Sequence, residues 1–306
     1  MRGPLGQLLT QLGSSRTHAV VASPARGRIA FRTCLNGSSY GMHRRDVCRL
    51  VSALALSASV ASTAPAQSPW TLTPNLEYAR IAGRSLRLDL YLPAASGPGP
   101  WPVVLWFHGQ PGRRSPTPAR QLVRCGYAVA SVEYRSPRAA RFPAQVLDGR
   151  AAVRWIRANA ARLGLDADHI AAWGESAGGY LAVMLATSAD VGTFDTAAGN
   201  AAQSDSGRIQ AAVNYFGPGR RGAASPLRYV SAGDTPVLIV HGTADRTVSP
   251  GRSRQLHHAL QAAGVESTLE LVRGAGHDFR RVHTPRVDSL VRTFLDRYLR
   301  PHGRSS

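Results

Sequence analysis

The sequence predicts an α/β fold in which a mostly parallel central sheet is covered by helices on both faces. Apolar runs of strand length alternate with longer segments of helical period along most of the chain. Residues 85–92 alternate apolar and polar side chains, as a half-exposed strand does, whereas residues 103–107 are continuously apolar, as in a central strand buried on both faces. The 306 residues, 43% of them hydrophobic, can build a sizeable core.

The later elements follow in the same alternation. No internal repeat or long linker interrupts it, so one catalytic domain over residues 67–306 is the economical prediction. Further strands are predicted at 128–132, 209–216, 237–240 and 268–272, and helices at 118–124, 142–163, 177–187, 250–263 and 285–299.

The first 66 residues have the pattern of a targeting segment rather than of a fold. Basic residues after Met42 precede an apolar run over 50–62, and Ala64-Pro65-Ala66 provides an A-x-A cleavage site. We expect a signal peptide over residues 42–66, cut after Ala66, and a secreted or periplasmic protein. The run is too short for a permanent span, so we expect no stable membrane anchor. Residues 1–41 are expected to be a disordered, non-native upstream extension.

A nucleophile elbow is the most informative motif. An apolar run, 169–173, leads into Gly174-Glu175-Ser176-Ala177-Gly178, and helix-forming residues follow at once. This strand, Gly-x-Ser-x-Gly turn and helix present the serine hydroxyl at the end of a sheet, with helix N–H groups directed at developing negative charge. Serine is a weak nucleophile by itself, so the motif predicts a histidine base and an acid that orients it.

Both partners are found downstream, each just after a predicted strand. Asp245 follows the strand 237–240, and His277 lies in a glycine-flexed loop after the strand 268–272. The order Ser176, Asp245, His277 is that of α/β-hydrolases and not of the other serine hydrolase folds. Open parallel sheets place their sites at these strand ends. We therefore predict a catalytic triad of these three residues.

An oxyanion hole is expected beside the triad. His108-Gly109-Gln110-Pro111 follows the central strand, and acyl transfer needs backbone N–H donors aimed at the developing oxyanion. Pro111 has no N–H to donate. The predicted donors are the N–H groups of Gly109, Gln110 and Ala177, and which pair acts stays open.

The chain is strongly basic, with a formal charge of +19, and all of its 37 basic residues are arginine. The arginines are scattered, with no basic helix or aromatic-basic stripe, so a solvated basic surface is favoured over nucleic-acid binding. No residues have metal-ligand spacing and no glycine-rich phosphate loop is found, so no metal and no cofactor are expected.

Together these motifs resemble the α/β-hydrolase esterase/lipase superfamily over nearly all of the mature chain. The similarity is to hormone-sensitive-lipase-like and bifunctional feruloyl/acetylxylan-esterase-like (BD-FAE-like) hydrolases, and it extends to residues 132–135, 141–145 and 153–160. Relatives with a similar motif show His-Gly-Gly where this chain has His108-Gly109-Gln110. They also carry a longer insertion where this chain has only residues 219–224, which implies a reduced cap and a shallow, open pocket.

The resemblance implies a secreted serine hydrolase that cleaves carboxylic esters through an acyl-enzyme on Ser176. Its substrate would be a small-molecule or polysaccharide-linked ester with a short or carbohydrate-linked acyl group such as acetyl or feruloyl. Two alternatives remain: a serine peptidase resembling the prolyl-oligopeptidase catalytic domain, which has the same triad order, and a catalytically silent binding protein on this fold. The chain has no propeller domain, which disfavours the first, and the intact Ser176, Asp245 and His277 disfavour the second.

Overall fold

A computed structural model describes residues 29–31, 40–42, 68, 70–94, 99–110, 119–196 and 207–300. The chain divides into two compact units, Met1–Gln67 and Ser68–Ser306. In the first unit, the described strands Ile29–Phe31 and Tyr40–Met42 pair antiparallel. The predicted extension over 1–41 and signal peptide over 42–66 otherwise lie outside the described residues, and they stay predictions.

The second unit is built on an eight-stranded sheet. Its described strands are β1 Trp70–Ile81, β2 Arg84–Pro93, β3 Trp101–Phe107, β4 Ala128–Val132, β5 Leu165–Glu175, β6 Ala211–Tyr215, β7 Val237–Gly242 and β8 Ser267–Val272. Across the sheet they lie in the order β8-β7-β6-β5-β3-β4-β2-β1. The strands from β8 across to β4 pair in parallel, and β2 pairs antiparallel with both β1 and β4.

Helices cover both faces of this sheet, as predicted. The described helices are α1 Ala119–Arg124, α2 Ala144–Leu163, α3 Ala177–Thr187, α4 Thr193–Thr196, α5 Pro250–Ala262, α6 Phe279–Val282 and α7 Pro285–Leu299. One apolar core joins the sheet to α2, α3 and α5, and a second joins its opposite face to α1 and α7. α3 is buried along almost its whole length, and its N-terminus lies at the carboxyl end of β5.

The caps explain why the helix boundaries could be predicted. Ser249 and Thr284 are the N-caps of α5 and α7, and a proline follows each at the first helical position, where no N–H is needed. Gly164 ends α2 with a left-handed φ of 67°. The predicted α/β-hydrolase architecture is confirmed, with each of the strands predicted within 85–272 found at close to its predicted position.

The strand β1 was not predicted from the sequence. It lies at the edge of the sheet, where one side needs no partner, and it contains Pro74 together with register shifts between Thr73 and Leu76. Most of its first seven residues are exposed, so it lacks the apolar pattern that identifies buried strands. Proline and bulges are tolerated at sheet edges, and they hide this strand from pattern-based prediction.

Candidate active site

Ser176 lies at the sharp turn between β5 and α3. Its φ of 48° and ψ of −117° are a strained conformation for a residue with a side chain. The turn is close-packed: a Cβ at Gly174 would lie 2.3 Å from the carbonyl carbon of Gly178, and one at Gly178 would lie 1.9 Å from the carbonyl oxygen of Phe107. Only glycine fits at these two positions, so the motif is required by the backbone packing around the elbow.

The three predicted catalytic residues come together at the carboxyl ends of β5, β7 and β8. His277 Nε2 lies 3.0 Å from Ser176 Oγ, and His277 Nδ1 lies 2.7 Å from Asp245 Oδ2. A carboxylate can only accept, so Nδ1–H donates to Asp245 and Nε2 of the neutral ring is left to accept the serine proton. The arrangement is a nucleophile, a base and an orienting acid within hydrogen-bond reach.

Asp245 is held by its own turn. The backbone N–H groups of Thr247 and Val248 donate to its Oδ1 at 2.8 and 2.9 Å. Burial raises the pKa of this carboxyl, but the hydrogen bonds from Val248, His277 and Thr247 outweigh it, and the resulting pKa is lowered. Asp245 therefore stays ionised, as an acid that orients a histidine must.

His241 is a second imidazole on the same carboxylate. Its Nε2 lies 3.2 Å from Asp245 Oδ2 and 3.0 Å from the carbonyl oxygen of Val248, and its Nδ1 lies 2.7 Å from Ser253 Oγ. The ring is fully buried, and burial lowers its pKa. The neutral tautomer with Nε2–H satisfies all three contacts, so His241 supports Asp245 as a neutral donor.

Phe216 packs against the catalytic imidazole from the β6 side. Its ring centroid lies 4.5 Å from that of His277, at an angle of 59°. Phe216 has a positive φ of 41° and its N–H donates to the carbonyl oxygen of Val240 at 2.8 Å. This contact restricts the imidazole to the rotamer that faces Ser176, and nothing in the local sequence pattern signalled it.

Asp278, the neighbour of His277, has a different task. Its carboxylate caps α6 by accepting a hydrogen bond from the N–H of Arg280 at 2.9 Å. The carboxylate that contacts His277 Nδ1 is thus that of Asp245, whereas Asp278 caps a helix.

Two of the three predicted oxyanion donors flank Ser176 closely. Ala177 begins α3, so its N–H has no partner within the helix. Gly109 follows the end of β3, and a Cβ on it would lie 3.3 Å from both Ser176 Cβ and Glu175 Cγ. Gln110 comes next and is exposed. Gly109 and Ala177 therefore lie beside Ser176, and Gln110 follows in the same loop as Gly109.

Glu175 contacts the loop that follows β3 and carries Gly109 and Gln110. The loop backbone packs closely against this residue: a Cβ on Gly109 would lie 3.3 Å from Glu175 Cγ, and His108 Nδ1 lies 3.7 Å from Glu175 Oε1. Burial raises the pKa of Glu175, although the N–H of Gly109 and the charge of His277 counteract this. Glu175 therefore lies beneath the loop that carries two of the predicted oxyanion donors, Gly109 and Gln110.

A depression of about 450 Å³, part of it open to solvent, lies along the first turn of α3 next to the nucleophile. Its wall includes Tyr134, Phe142, Ala177, Tyr180 and Arg220. Among the described residues, no group of histidine, cysteine, aspartate and glutamate could hold a metal ion, and no helix is long and apolar enough to cross a membrane.

Comparison with known proteins places this geometry among esterases. A family model described as BD-FAE matches residues 88–221 and 219–260. Esterase LipQ of Mycobacterium tuberculosis is 30% identical over 222 residues, which cover 60% of this chain and 51% of that protein. The chain thus spans about half the length of LipQ, and about half that of a second esterase of the same organism, LipC.

Solved structures give the same picture. An esterase from Thermogutta terrifontis, Est2 with propionate bound, superposes with a TM-score of 0.65 and 26% identity, over 78% of this chain and 98% of that one. A truncated carbohydrate esterase from gut microbiota superposes with a TM-score of 0.62 over 76% and 99% of the two chains. Its 23% identity speaks for the fold alone.

Proposed function

This chain belongs to the BD-FAE family, and on that basis we propose that it is a carboxylic-ester hydrolase that works through an acyl-enzyme on Ser176. The observation that carries the proposal is the hydrogen-bonded chain from Ser176 Oγ through the imidazole of His277 to buried Asp245. The similarity to proteins named as esterases supports an ester as the substrate.

In the acylation step, Ser176 Oγ attacks the ester carbonyl while its proton passes to His277 Nε2. The ionised Asp245 then stabilises the imidazolium through the 2.7 Å hydrogen bond to Nδ1. Collapse of the tetrahedral intermediate breaks the bond to the alcohol oxygen, which takes the proton from Nε2 and leaves as the alcohol.

The negative charge of the tetrahedral intermediate is received by backbone N–H groups. We assign this role to the N–H of Ala177, at the start of α3, together with that of Gly109 or Gln110 in the loop after β3. The positive N-terminal end of the buried helix α3 adds to the stabilisation.

Deacylation reverses the same steps with water in place of the alcohol. His277 Nε2 removes a proton from the water molecule as its oxygen attacks the acyl carbonyl. Collapse of this intermediate breaks the bond from the acyl carbon to Ser176 Oγ, which takes the proton back from Nε2 as the carboxylic acid leaves. The same N–H groups stabilise the second oxyanion, so one site performs both halves of the reaction.

Short acyl groups, or acyl groups attached to carbohydrate, are the proposed substrates. Only six residues, 219–224, separate Gly217-Pro218 from the segment that follows, and the depression beside Ser176 is partly open to solvent. A long acyl chain would leave much of its apolar surface in water there. The similarity to an esterase solved with propionate bound supports a short acyl group.

We further propose that residues 42–66 direct export and are removed after Ala66. Expression in a bacterial host, followed by N-terminal sequencing of the protein from the periplasmic fraction, tests this. A chain that begins near Gln67 supports export, and a cytoplasmic chain that retains residues 42–66 contradicts it.

The enzymatic proposal is tested with purified protein on p-nitrophenyl acetate, butyrate and octanoate, beside Ser176→Ala. We expect hydrolysis that declines from butyrate to octanoate and falls by at least about 10³-fold in Ser176→Ala. A fluorophosphonate probe should add its mass to a peptide that contains Ser176, and the variant should not be labelled.

Three results would contradict the proposal or its parts. Equal rates for wild type and Ser176→Ala remove the serine mechanism. Octanoate as the best substrate removes the short-acyl specificity. Cleavage of a prolyl p-nitroanilide peptide in preference to every ester identifies a peptidase instead.

A further inference from the structure

The six-residue segment 219–224 contains Arg220, whose guanidinium lies beside the proposed acyl-transfer site. Tyr180, in the first turn of α3, donates from its hydroxyl to the carbonyl oxygen of Ala224 at 2.9 Å. The guanidinium of Arg220 lies 5.2 Å from the centroid of the Tyr180 ring. Since α3 begins directly after Ser176, these contacts place the exposed Arg220 near the first turn of that helix.

The surroundings of Arg220 are those of a binding wall. Arg220 lines the depression beside Ser176, opposite Tyr134 and Phe142 and in common with Ala177, a proposed oxyanion donor. The Gln145 amide on this wall already donates to the carbonyl oxygen of Ala140 at 2.7 Å. Arg220 is thus the charged side chain among the residues that line this depression.

Its charge is not neutralised by the part of the chain that the structure describes. Arg135, by contrast, is ion-paired with Asp148, while Arg220 has no carboxylate within ion-pair distance among the described residues. Burial raises the pKa of Tyr180 to about 12, so the phenol below the guanidinium stays neutral at working pH. A cation held over a ring, facing a pocket and lacking a carboxylate suits an anionic ligand group.

We propose that Arg220 binds a carboxylate carried by the ester substrate, so that this enzyme prefers esters with a negative charge near the scissile bond over their neutral counterparts. The inference rests on the proposed ester hydrolysis and names its substrate class. The guanidinium offers a planar fork that matches a carboxylate, and the ring of Tyr180 limits its motion. The excess of arginine over acidic residues, which persists after residue 66, adds attraction at long range.

The test compares charged esters with neutral isosteres. In the first pair, mono-p-nitrophenyl glutarate has a carboxylate on the acyl side, and the p-nitrophenyl ester of glutaramic acid is its neutral counterpart. In the second pair, 4-acetoxybenzoate has a carboxylate on the alcohol side, and 4-acetoxybenzamide is its neutral counterpart. We expect the charged member of at least one pair to have the higher kcat/KM, and the pair that shows it identifies which part of the substrate faces Arg220.

Variants assign the effect to Arg220. Arg220→Gln should lower kcat/KM for the preferred charged ester by about 5- to 50-fold, mainly through KM, and change the neutral isostere less than about twofold. Arg220→Lys should recover part of the loss. Arg221→Gln removes the same charge from the next residue, which does not line the depression, and is the matched control. The preference should also weaken in high salt.

A preference for the neutral member of both pairs overturns the inference, as do equal losses in Arg220→Gln and Arg221→Gln. Hydrolysis of neutral esters that requires Ser176 would leave the proposed function standing in that case. Binding of monomethyl glutarate and monoacetyl ethylene glycol to Ser176→Ala by calorimetry, with and without Arg220→Gln, reads out charge recognition without turnover. Binding of the charged ester that is independent of Arg220 also contradicts the inference.

Discussion

Asp148 and Arg135 form a buried ion pair beneath the loop that lines the proposed substrate pocket, and Asp148→Asn is expected to destabilise the fold strongly. The Asp148 side chain is 0% exposed and that of Arg135 is 15% exposed. Arg135 donates to the carboxylate from its backbone N–H at 2.9 Å, from Nε at 2.9 Å and from Nη2 at 2.7 Å.

The magnitude follows from what the substitution leaves behind. An asparagine keeps the size and one acceptor oxygen, but its NH₂ group faces the donors of the guanidinium, and the positive charge loses its buried partner. Arg135 would then retain one amide oxygen in place of two carboxylate oxygens, besides the carbonyl oxygen of Ala144 at 3.2 Å. Breaking a buried pair in this way costs about 3–5 kcal/mol of the free energy of unfolding. For a unit of this size that corresponds to a fall in Tm of roughly 6–20 °C.

Urea denaturation followed by tryptophan fluorescence at pH 7 measures the effect in a double-mutant cycle. The cycle comprises wild type, Asp148→Asn, Arg135→Met and the double variant. Since the second substitution removes a charge that is already uncompensated, the double variant should lose less free energy than the sum of the single losses. A loss below about 1 kcal/mol in Asp148→Asn, or strict additivity, would refute the reasoning.

Three further outcomes are expected. Burial raises the pKa of Glu175, so its ionisation opposes folding. The free energy of unfolding of the wild type, relative to that of Glu175→Gln, should therefore fall as the pH rises from the ordinary glutamate pKa near 4.3 through the raised pKa of Glu175. Denaturation at pH 4, 6 and 8 measures this difference, and a difference that stays constant would count against the expectation. Gly174→Ala places a Cβ 2.3 Å from the carbonyl carbon of Gly178, and we expect about 1–3 kcal/mol of destabilisation with at least tenfold lower kcat. Gly192→Ala, where a Cβ meets nothing within 4 Å, is its control, and equal effects of the two would contradict the packing argument. Asp245→Asn should lower kcat about 10⁴-fold with little change in KM, and a steady-state assay that finds less than tenfold would exclude the orienting role.

Local sequence was sufficient for most of the fold because the fold repeats two strong signals. Apolar runs mark the buried strands, and proline and serine or threonine mark the starts of helices such as α5 and α7. Within the eight-stranded sheet, β1 was not predicted because its exposed edge and bulges weaken the period, and the four-residue helices α4 and α6 were not predicted either.

The proposed catalytic residues could also be predicted from the sequence. The glycines around Ser176 are required by contacts between β5, α3 and β3, so the motif is local and readable. Asp245 and His277 follow strands whose carboxyl ends share one edge of the sheet, and the chain order therefore identified them as partners of Ser176.

Tertiary structure decided the contacts between residues that are distant in sequence or that lack a local pattern. It placed His241 beside the Asp245 carboxylate, Gly109 against Glu175, and Arg220 over the ring of Tyr180. A residue's period or motif records whether it is buried and how the backbone turns. It does not indicate which side chain from a distant segment contacts that residue. In this protein such a contact, between Arg220 and Tyr180, places a positive charge in the depression beside Ser176.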